Sequence, residues 1–275
     1  MNYKLKFIKI SPKHEFAGVG FAGNIFITLN ALTHTTINDK MYVDMETNEC
    51  VCTENDFNTF NTKNCWEYYF DQIEKNTLSD MVEFDSLISA NINYEDRDMF
   101  MYPENFIDLK NKFYNSFKLK PYLSNLIDDY YLKNIKDKIT LGVQVRLTDM
   151  KHYHNVSPLE SYIRKIKDVL SYHPEIEQIF LATDDGKIIN RLISEINIPI
   201  IFYKDMFRAD ENNLHLHPYD RFISERKNHK YTLGVECIHE ILTLSKCDYS
   251  LKADVSSISR IASILSENIK KVYKL

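Results

Sequence analysis

Residues 139–149 read ITLGVQVRLTD, and they carry the strongest signal for the class of fold. Residues 139–145 are mainly apolar or β-branched and carry no charge, which predicts a buried strand. Arg146, Thr148 and Asp149 follow at once. An apolar strand with polar residues at its end is typical of a parallel sheet, in which helices cover both faces and ligands bind beyond the carboxyl ends.

Downstream of this stretch, apolar strands alternate with helices, as in βαβ units. The first of these helices is predicted to begin with a capping box, with Ser157 as N-cap, Pro158 as first helical residue and Glu160 as the reciprocal acceptor. We predict strands at 178–183, 198–203 and 249–252, helices at 157–171, 186–196, 232–246 and 256–267, and a closing strand before residue 275.

Upstream, a weaker version of the pattern opens on a glycine-rich turn, GVGFAGN at 18–24, between a predicted strand at 5–10 and a predicted helix at 25–36. The turn fits GxGxxG, which is a weak signal alone, and no Gly-Lys-Ser/Thr follows it as in a P-loop. Backbone can approach a ligand closely at Gly23, and Asn24 offers a side-chain amide. A further strand is predicted at 41–44 and further helices at 66–73, 103–117 and 121–135.

These patterns predict an α/β protein of two Rossmann-like domains that face each other across a cleft. We place the boundary near residue 137, which gives an N-terminal domain at 1–137 and a C-terminal domain at 138–275. A chain of 275 residues is long for one domain and sufficient for two small ones, each with its own core.

Composition excludes several classes of function. The net charge is −5 and no basic stripe is present, so the chain is not built as a general nucleic-acid binder. No stretch approaches ~20 apolar residues, so no membrane span is expected. The N-terminus lacks the apolar run of a signal peptide. The five cysteines are odd in number and form no CxxC pair, which predicts reduced thiols and a cytoplasmic location.

Polar residues follow three of the predicted strands. Arg146 can hold a diphosphate through two parallel hydrogen bonds, or it can be a surface residue paired with Asp149. Asp184 and Asp185 can cap the helix that follows them, or accept hydrogen bonds from a ribose, a sugar or Arg146, or bind a divalent metal.

The third strand end carries Ser256 and Ser257. Their hydroxyls and amides at a helix N-terminus form an anion site, or else an ordinary N-cap. His215, His217 and Asp220 in HLHPYD do not have a specific ligand spacing, so we expect no metal there. His152 and His154 are candidates for substrate contacts.

The order of these motifs resembles the α1,6-fucosyltransferase and nodulation fucosyltransferase group of the fucosyltransferase superfamily. GVQVRLTDM, IFLATDD and LGVECIHEILTLSKCDYSLKADVSSISRIAS match its three signatures in sequence order. GVGFAGNIFITLNAL resembles the opening loop of the wider superfamily, and NCWEYYF at 64–70 resembles an N-x-W-x-Y-Y-F stretch that is common after it.

The resemblance implies a GT-B-like pair of domains, an acceptor-side N-terminal domain, a nucleotide-sugar-binding C-terminal domain, GDP-fucose as donor, a carbohydrate acceptor, inversion at the anomeric carbon, and no metal or other cofactor. It implies that Arg146 holds the diphosphate and that Asp149 is the motif acid and a candidate catalytic base. By the same resemblance, the substrate-binding residues are Gly23, Asn24, Gln144, Thr148, Asp184, Asp185, Glu240, Ser256 and Ser257.

The sequence departs from the motifs at several positions. Gln144 replaces a histidine, Leu147 replaces a second arginine, Met150 replaces a lysine, and Glu240 replaces an aspartate that contacts the base. Two alternatives therefore stay open: a glycosyltransferase that uses another nucleotide sugar, and a non-catalytic protein that binds nucleotides or glycans. Acceptor choice is not carried over.

Overall fold

A computed structural model describes residues 7–10, 20–33, 35–46, 52–53, 60–72, 82–84, 103–148, 156–208, 226–253, 256–266 and 270–275. The chain divides into two compact units. The first contains residues 1–124 and 224–235, and the second contains residues 125–223 and 236–275. The functional division at residue 137, and the cleft, stay predictions. In the described ranges, no helix combines the length and the apolar content that a membrane span needs.

The first unit is built on a small parallel sheet. Strand β1 (Phe7–Ile10) lies between β2 (Lys40–Val43) and β4 (Val82–Phe84), while β3 (Phe70–Asp71) and β5 (Lys118–Leu119) form a separate antiparallel pair. The helices are α1 (Phe21–Leu32), α2 (Pro103–Ser116) and α3 (Pro121–Asn134), and the last of these continues into the second unit.

Helix α1 begins earlier than the sequence predicted. Gly20 is its N-cap, and the backbone amides of Gly23 and Asn24 donate to the Gly20 carbonyl at 2.9 and 3.3 Å. Phe21 and Ala22, the first two residues of α1, are buried. Their packing in the core favours a helix that begins at residue 21 and not at the predicted residue 25. Gly23 and Asn24 therefore lie in a helical turn, and the prediction that they belong to a loop was wrong.

The predicted helix at 66–73 was also wrong. The segment forms a short 3₁₀ helix (Cys65–Tyr68) and then strand β3, which pairs with β5. Asn64 organises this turn: its Oδ1 accepts from the amides of Met45 and Trp66, and its Nδ2 donates to Val43 O at 2.7 Å. The aromatic residues enter a core in which Trp66 stacks on Phe70 at 4.5 Å.

The second unit contains a parallel sheet with the strand order β10–β9–β6–β7–β8. The prediction of an α/β fold with a parallel sheet is confirmed. The strands are β6 (Thr140–Val145), β7 (Gln178–Thr183), β8 (Ile200–Ile201), β9 (Tyr249–Lys252) and β10 (Lys271–Lys274). The helices are α4 (Leu159–Tyr172), α5 (Gly186–Glu195), α6 (His229–Ser245), which begins in the first unit, and α7 (Ser257–Leu265).

Strand β6 is the central strand of this sheet, and its side chains are buried on both faces. Val143 and Val145 enter the core that α4 and α5 cover. On the opposite face, a Cβ at Gly142 would lie 3.0 Å from Leu244 of α6 and 3.2 Å from Cys247, so glycine permits this close approach. The uninterrupted burial agrees with the apolar run in the sequence.

Helix α4 does not begin with the predicted capping box. Pro158 is its N-cap and the first helical residue is Leu159, so Ser157 lies outside the helix. Pro158 has an extended backbone, with φ at −67° and ψ at 160°, and its side chain makes no capping hydrogen bond. Glu160 lies in the first turn, where its charge complements the helix dipole.

Candidate functional site

The strand order of the second unit places a candidate site next to β6. The chain runs from β6 to β7 and β8 on one side, then returns to β9 on the other side of β6. Such a reversal is a topological switch point, and open parallel sheets bind ligands there, beyond the carboxyl ends of the strands. Arg146 follows β6 and Ser256 follows β9 at this edge.

Arg146 pairs with an acid from the neighbouring strand. Its Nε lies 3.8 Å from Asp184 Oδ2, and the Thr148 hydroxyl donates a short hydrogen bond to the same oxygen. Both charged side chains are largely buried, at 19% and 17% exposed. The sequence had offered both Asp149 and the acids after β7 as partners of Arg146; Asp149 lies outside the described residues, and the structure shows the pairing with Asp184.

The two consecutive acids after β7 have different roles. Asp185 caps α5, since its Oδ1 accepts from the amide of Lys187 at 2.8 Å. Its own amide donates to the Thr183 hydroxyl at 3.2 Å. Asp184, in contrast, turns toward Arg146 and Thr148. Of the alternatives raised by the sequence, helix capping therefore describes Asp185, and contact with Arg146 describes Asp184.

Ser256 lies at the N-terminus of α7 but does not cap it with its side chain. The residue is 2% exposed, and its hydroxyl has no hydrogen-bond partner within the part of the chain that the structure describes. A buried hydroxyl without a partner costs free energy, so a ligand that bonds to it would recover that cost. Ser257 is the first helical residue and is partly exposed.

Gln144 is a buried amide near the end of β6. It is 2% exposed, and no described residue donates to its Oε1. Because side chains alternate along a strand, Gln144 extends from the same face as Gly142, which contacts α6. The side-chain oxygen of Gln144 is therefore a buried acceptor on the α6 face.

Glu240 lies on α6 at the same edge of the sheet. It is 8% exposed, and Arg208 Nη1 donates to its Oε1 at 3.1 Å. The same Arg208 nitrogen donates to the carbonyl of Thr183, which places the pair at the carboxyl end of β7. Burial raises the pKa of Glu240 to about 7, although Arg208 opposes this change.

Sequence reasoning missed Arg208 and His239. Arg208 follows β8, so its position after one more parallel strand of the same sheet was a signal that could have found it. The His239 ring lies 5.3 Å from the Tyr203 ring, and burial lowers the pKa of His239 to about 4. His239 is therefore neutral at pH 7.

Two of the predicted substrate-binding residues belong to the first unit. Gly23 and Asn24 lie in the first turn of α1, where Asn24 is 1% exposed and its carbonyl accepts from the Thr28 hydroxyl at 2.9 Å.

Six other candidates lie outside the described residues: Asp149, His152, His154, His215, His217 and Asp220. Among the residues that the structure does describe, no group of three acids, histidines or cysteines could hold a metal ion.

Solved structures with the same fold were found over nearly the whole chain. The structure of the NodZ α-1,6-fucosyltransferase soaked with GDP-fucose has a TM-score of 0.57 and 14% identity, and covers 96% of this chain and 93% of that chain. The fucosyltransferase NodZ from Bradyrhizobium also has a TM-score of 0.57 and 14% identity, covering 96% and 94% of the two chains. POFUT1 in complex with GDP has a TM-score of 0.50 and 8% identity, covering 98% of both.

The chain has the fold of these fucosyltransferases. The resemblance to the fucosyltransferase superfamily, predicted from short motifs, is thereby confirmed at the level of the fold. No protein-family model and no curated protein sequence matches the chain.

Proposed function

We propose that this protein is an inverting glycosyltransferase that transfers fucose from GDP-fucose to a hydroxyl group of a carbohydrate acceptor, without a metal or other cofactor. One observation carries the proposal: Arg146 stands at the switch point beside β6, in a fold shared with a fucosyltransferase that was soaked with GDP-fucose. The shared fold supports a donor site at this switch point, and we assign the chemistry to the residues around it.

In this proposal, the donor diphosphate lies between the end of β6 and the N-terminus of α7. The guanidinium of Arg146 forms charge-assisted hydrogen bonds to it, and Asp184 orients that guanidinium. The amides at the start of α7 and the buried hydroxyl of Ser256 add donors, because helix N-termini attract phosphate. Thr148 holds Asp184 in turn.

The nucleobase site is proposed on the α6 face of the sheet. Gln144 Oε1 and the Glu240 carboxylate are hydrogen-bond acceptors. They therefore require a nucleobase whose edge carries hydrogen-bond donors. Guanine presents two neighbouring donors, its N1–H and its 2-amino group. Uracil presents a single N–H between two carbonyls, and adenine presents an amino group beside an acceptor. The two acceptors favour guanine.

The proposed reaction is a direct displacement. The acceptor hydroxyl oxygen attacks the anomeric carbon, the bond from that carbon to the diphosphate oxygen breaks, and GDP leaves with the electron pair. Arg146 and the α7 amides stabilise the negative charge that builds on the leaving diphosphate. The hydroxyl proton passes to a base, for which Asp149 is the first candidate, ahead of Glu160 and His154. Gly23 and Asn24, in the first unit, are proposed to contact substrate.

Donor binding tests the proposal directly. We expect GDP and GDP-fucose to raise the unfolding temperature, and UDP- and ADP-sugars to have little effect. Transfer of labelled fucose to a panel of glycans then establishes the activity. No response to any guanine nucleotide would overturn the fucose assignment.

Two other results would favour the alternatives. A response to GDP-mannose or to another sugar nucleotide in preference to GDP-fucose would indicate a different transferred sugar, which the replacement of a motif histidine by Gln144 motivates. Tight donor binding without transfer or hydrolysis on any acceptor would indicate a non-catalytic binding protein.

A further inference from the structure

Resting on the proposed function, we infer that Arg208 is the positioning residue for nucleobase recognition: it holds the Glu240 carboxylate at the carboxyl end of the sheet, where that carboxylate accepts from the base of the donor. Arg208 contacts Glu240 rather than the ligand, and its contribution is to orient and charge a residue that does contact the ligand.

The guanidinium of Arg208 connects three elements. Nη1 donates to Glu240 Oε1 on α6 at 3.1 Å and to the carbonyl of Thr183 at the end of β7. Nη2 donates to the carbonyl of Tyr203, which follows β8, at 3.0 Å. A planar, forked group can reach three acceptors at once, whereas a lysine ammonium is a single point charge.

The backbone next to Arg208 is attached to the same helix. The amide of Phe207 donates to Glu236 Oε1 at 3.0 Å, and Glu236 lies one turn before Glu240 on α6. A Cβ at Gly186 would lie 3.6 Å from Arg208 Cβ, so the base of the arginine side chain packs against the start of α5. Arg208 is only 15% exposed, and these contacts restrict it to one orientation.

The arginine also links the two halves of the candidate donor site. Thr183, whose carbonyl accepts from Arg208, directly precedes Asp184, which pairs with Arg146. Arg208, which orients Glu240, therefore also restrains the end of β7. Asp184 at that strand end orients Arg146 in turn. This arrangement keeps both recognition groups in place before the donor binds, which lowers the entropy lost on binding.

The charged groups around Glu240 determine its protonation. Arg208 favours the carboxylate, while Asp184 from the end of β7 and Glu236 from α6 disfavour it. Tyr203 also faces Glu240, and its pKa is raised by burial, so it is neutral. Since burial brings the pKa of Glu240 to about 7, removal of Arg208 should raise it further and leave the acid protonated at neutral pH.

The experiment measures donor binding against pH. Calorimetry with GDP-mannose or GDP-fucose between pH 5.5 and 8.5 avoids the terminal phosphate titration of free GDP, because both phosphates are esterified. For the wild type we expect affinity to increase as pH rises through about 7. Arg208→Met should weaken binding at pH 7 by about 10- to 100-fold, move the midpoint to higher pH and regain affinity at pH 8.5. Glu240→Gln should remove the pH dependence.

Arg191→Met is the matched control, because Arg191 is an exposed arginine on α5 that pairs with Glu195, and it should leave the profile unchanged. Two results for Arg208→Met would overturn the inference. One is a pH midpoint of donor affinity equal to that of the wild type, and the other is an affinity that is reduced by the same factor at every pH. If that variant does not fold, Arg208→Lys decides: wild-type affinity would overturn the inference, since one ammonium cannot reach all three acceptors. No binding of any GDP-sugar by the wild type would overturn the proposed function as well, which separates the two failures.

Discussion

Arg146 Nε and Asp184 Oδ2 lie 3.8 Å apart at the carboxyl ends of adjacent parallel strands. Strand pairing brings them together, because Val145 is in register with Thr183, and the two residues directly follow that pair. The carboxylate therefore orients the guanidinium before any ligand arrives. A preoriented cation at the switch point is what a diphosphate leaving group requires.

Replacing Arg146 tests its proposed role on the diphosphate. Arg146→Ala should lower kcat/KM for fucose transfer by about 100- to 1000-fold, as loss of a single preorganised donor does. Arg146→Lys should retain part of the activity, because it keeps the charge but loses the bidentate geometry. GDP release measures the rate, and the exposed Arg164 supplies an Arg164→Ala control. Near-normal turnover by Arg146→Ala would rule out the role.

The two neighbouring acids offer a matched pair of substitutions. Asp185→Ala should lower the free energy of unfolding by about 1 kcal/mol through loss of the α5 N-cap, and leave donor affinity nearly unchanged. Asp184→Ala should instead weaken donor binding by about tenfold, because Arg146 loses its orienting partner. Urea unfolding and calorimetry distinguish them; the opposite pattern would assign donor binding to Asp185.

Glu240 should make stability depend on pH. Its pKa is raised from 4.5 to about 7 in the folded chain, so its contribution to stability is full below pH 4.5 and is lost as pH rises through about 7. Relative to Glu240→Gln, the wild type should lose about 2 to 3 kcal/mol of unfolding free energy between pH 5 and pH 8. Urea unfolding of both proteins across this range measures the difference, and parallel curves would contradict the raised pKa.

Gly234 should be essential for packing in the first unit. A Cβ at this position would lie 2.1 Å from Tyr69 Oη, and Tyr69 is buried with its hydroxyl bonded to Tyr231 O at 3.0 Å. Gly234→Ala should therefore destabilise the protein by about 1 to 3 kcal/mol. The fluorescence of the single tryptophan, the buried Trp66, reports unfolding of this unit.

Gly20→Ala is the control for that substitution, because nothing lies within 4 Å of the added carbon. It should cost about 0.5 to 1 kcal/mol, roughly the difference between glycine and alanine at an N-cap, and no steric cost is added. Equal losses in the two variants would contradict the steric explanation.

The sequence was sufficient for the elements whose signal is local. Continuous apolar runs at β6, β7 and β9 predicted a parallel sheet, because strands buried on both faces leave little choice of residue. Their polar ends predicted where Arg146, Asp184 and Ser256 would lie. The local signal failed at 66–73, where aromatic residues satisfy a helix pattern but pair in β3 with a strand far along the chain.

Which polar groups meet was not readable from order along the chain. The sequence left open whether Arg146 pairs with Asp149 or with an acid after the next strand, and it gave no sign that Arg208 pairs with Glu240 of α6. Composition and periodicity specify which residues are buried and which follow a strand, since those depend on each residue's own solvation. Ion-pair partners and shifted pKa values depend instead on distances between separate elements, which exist once the sheet has assembled and water has been excluded.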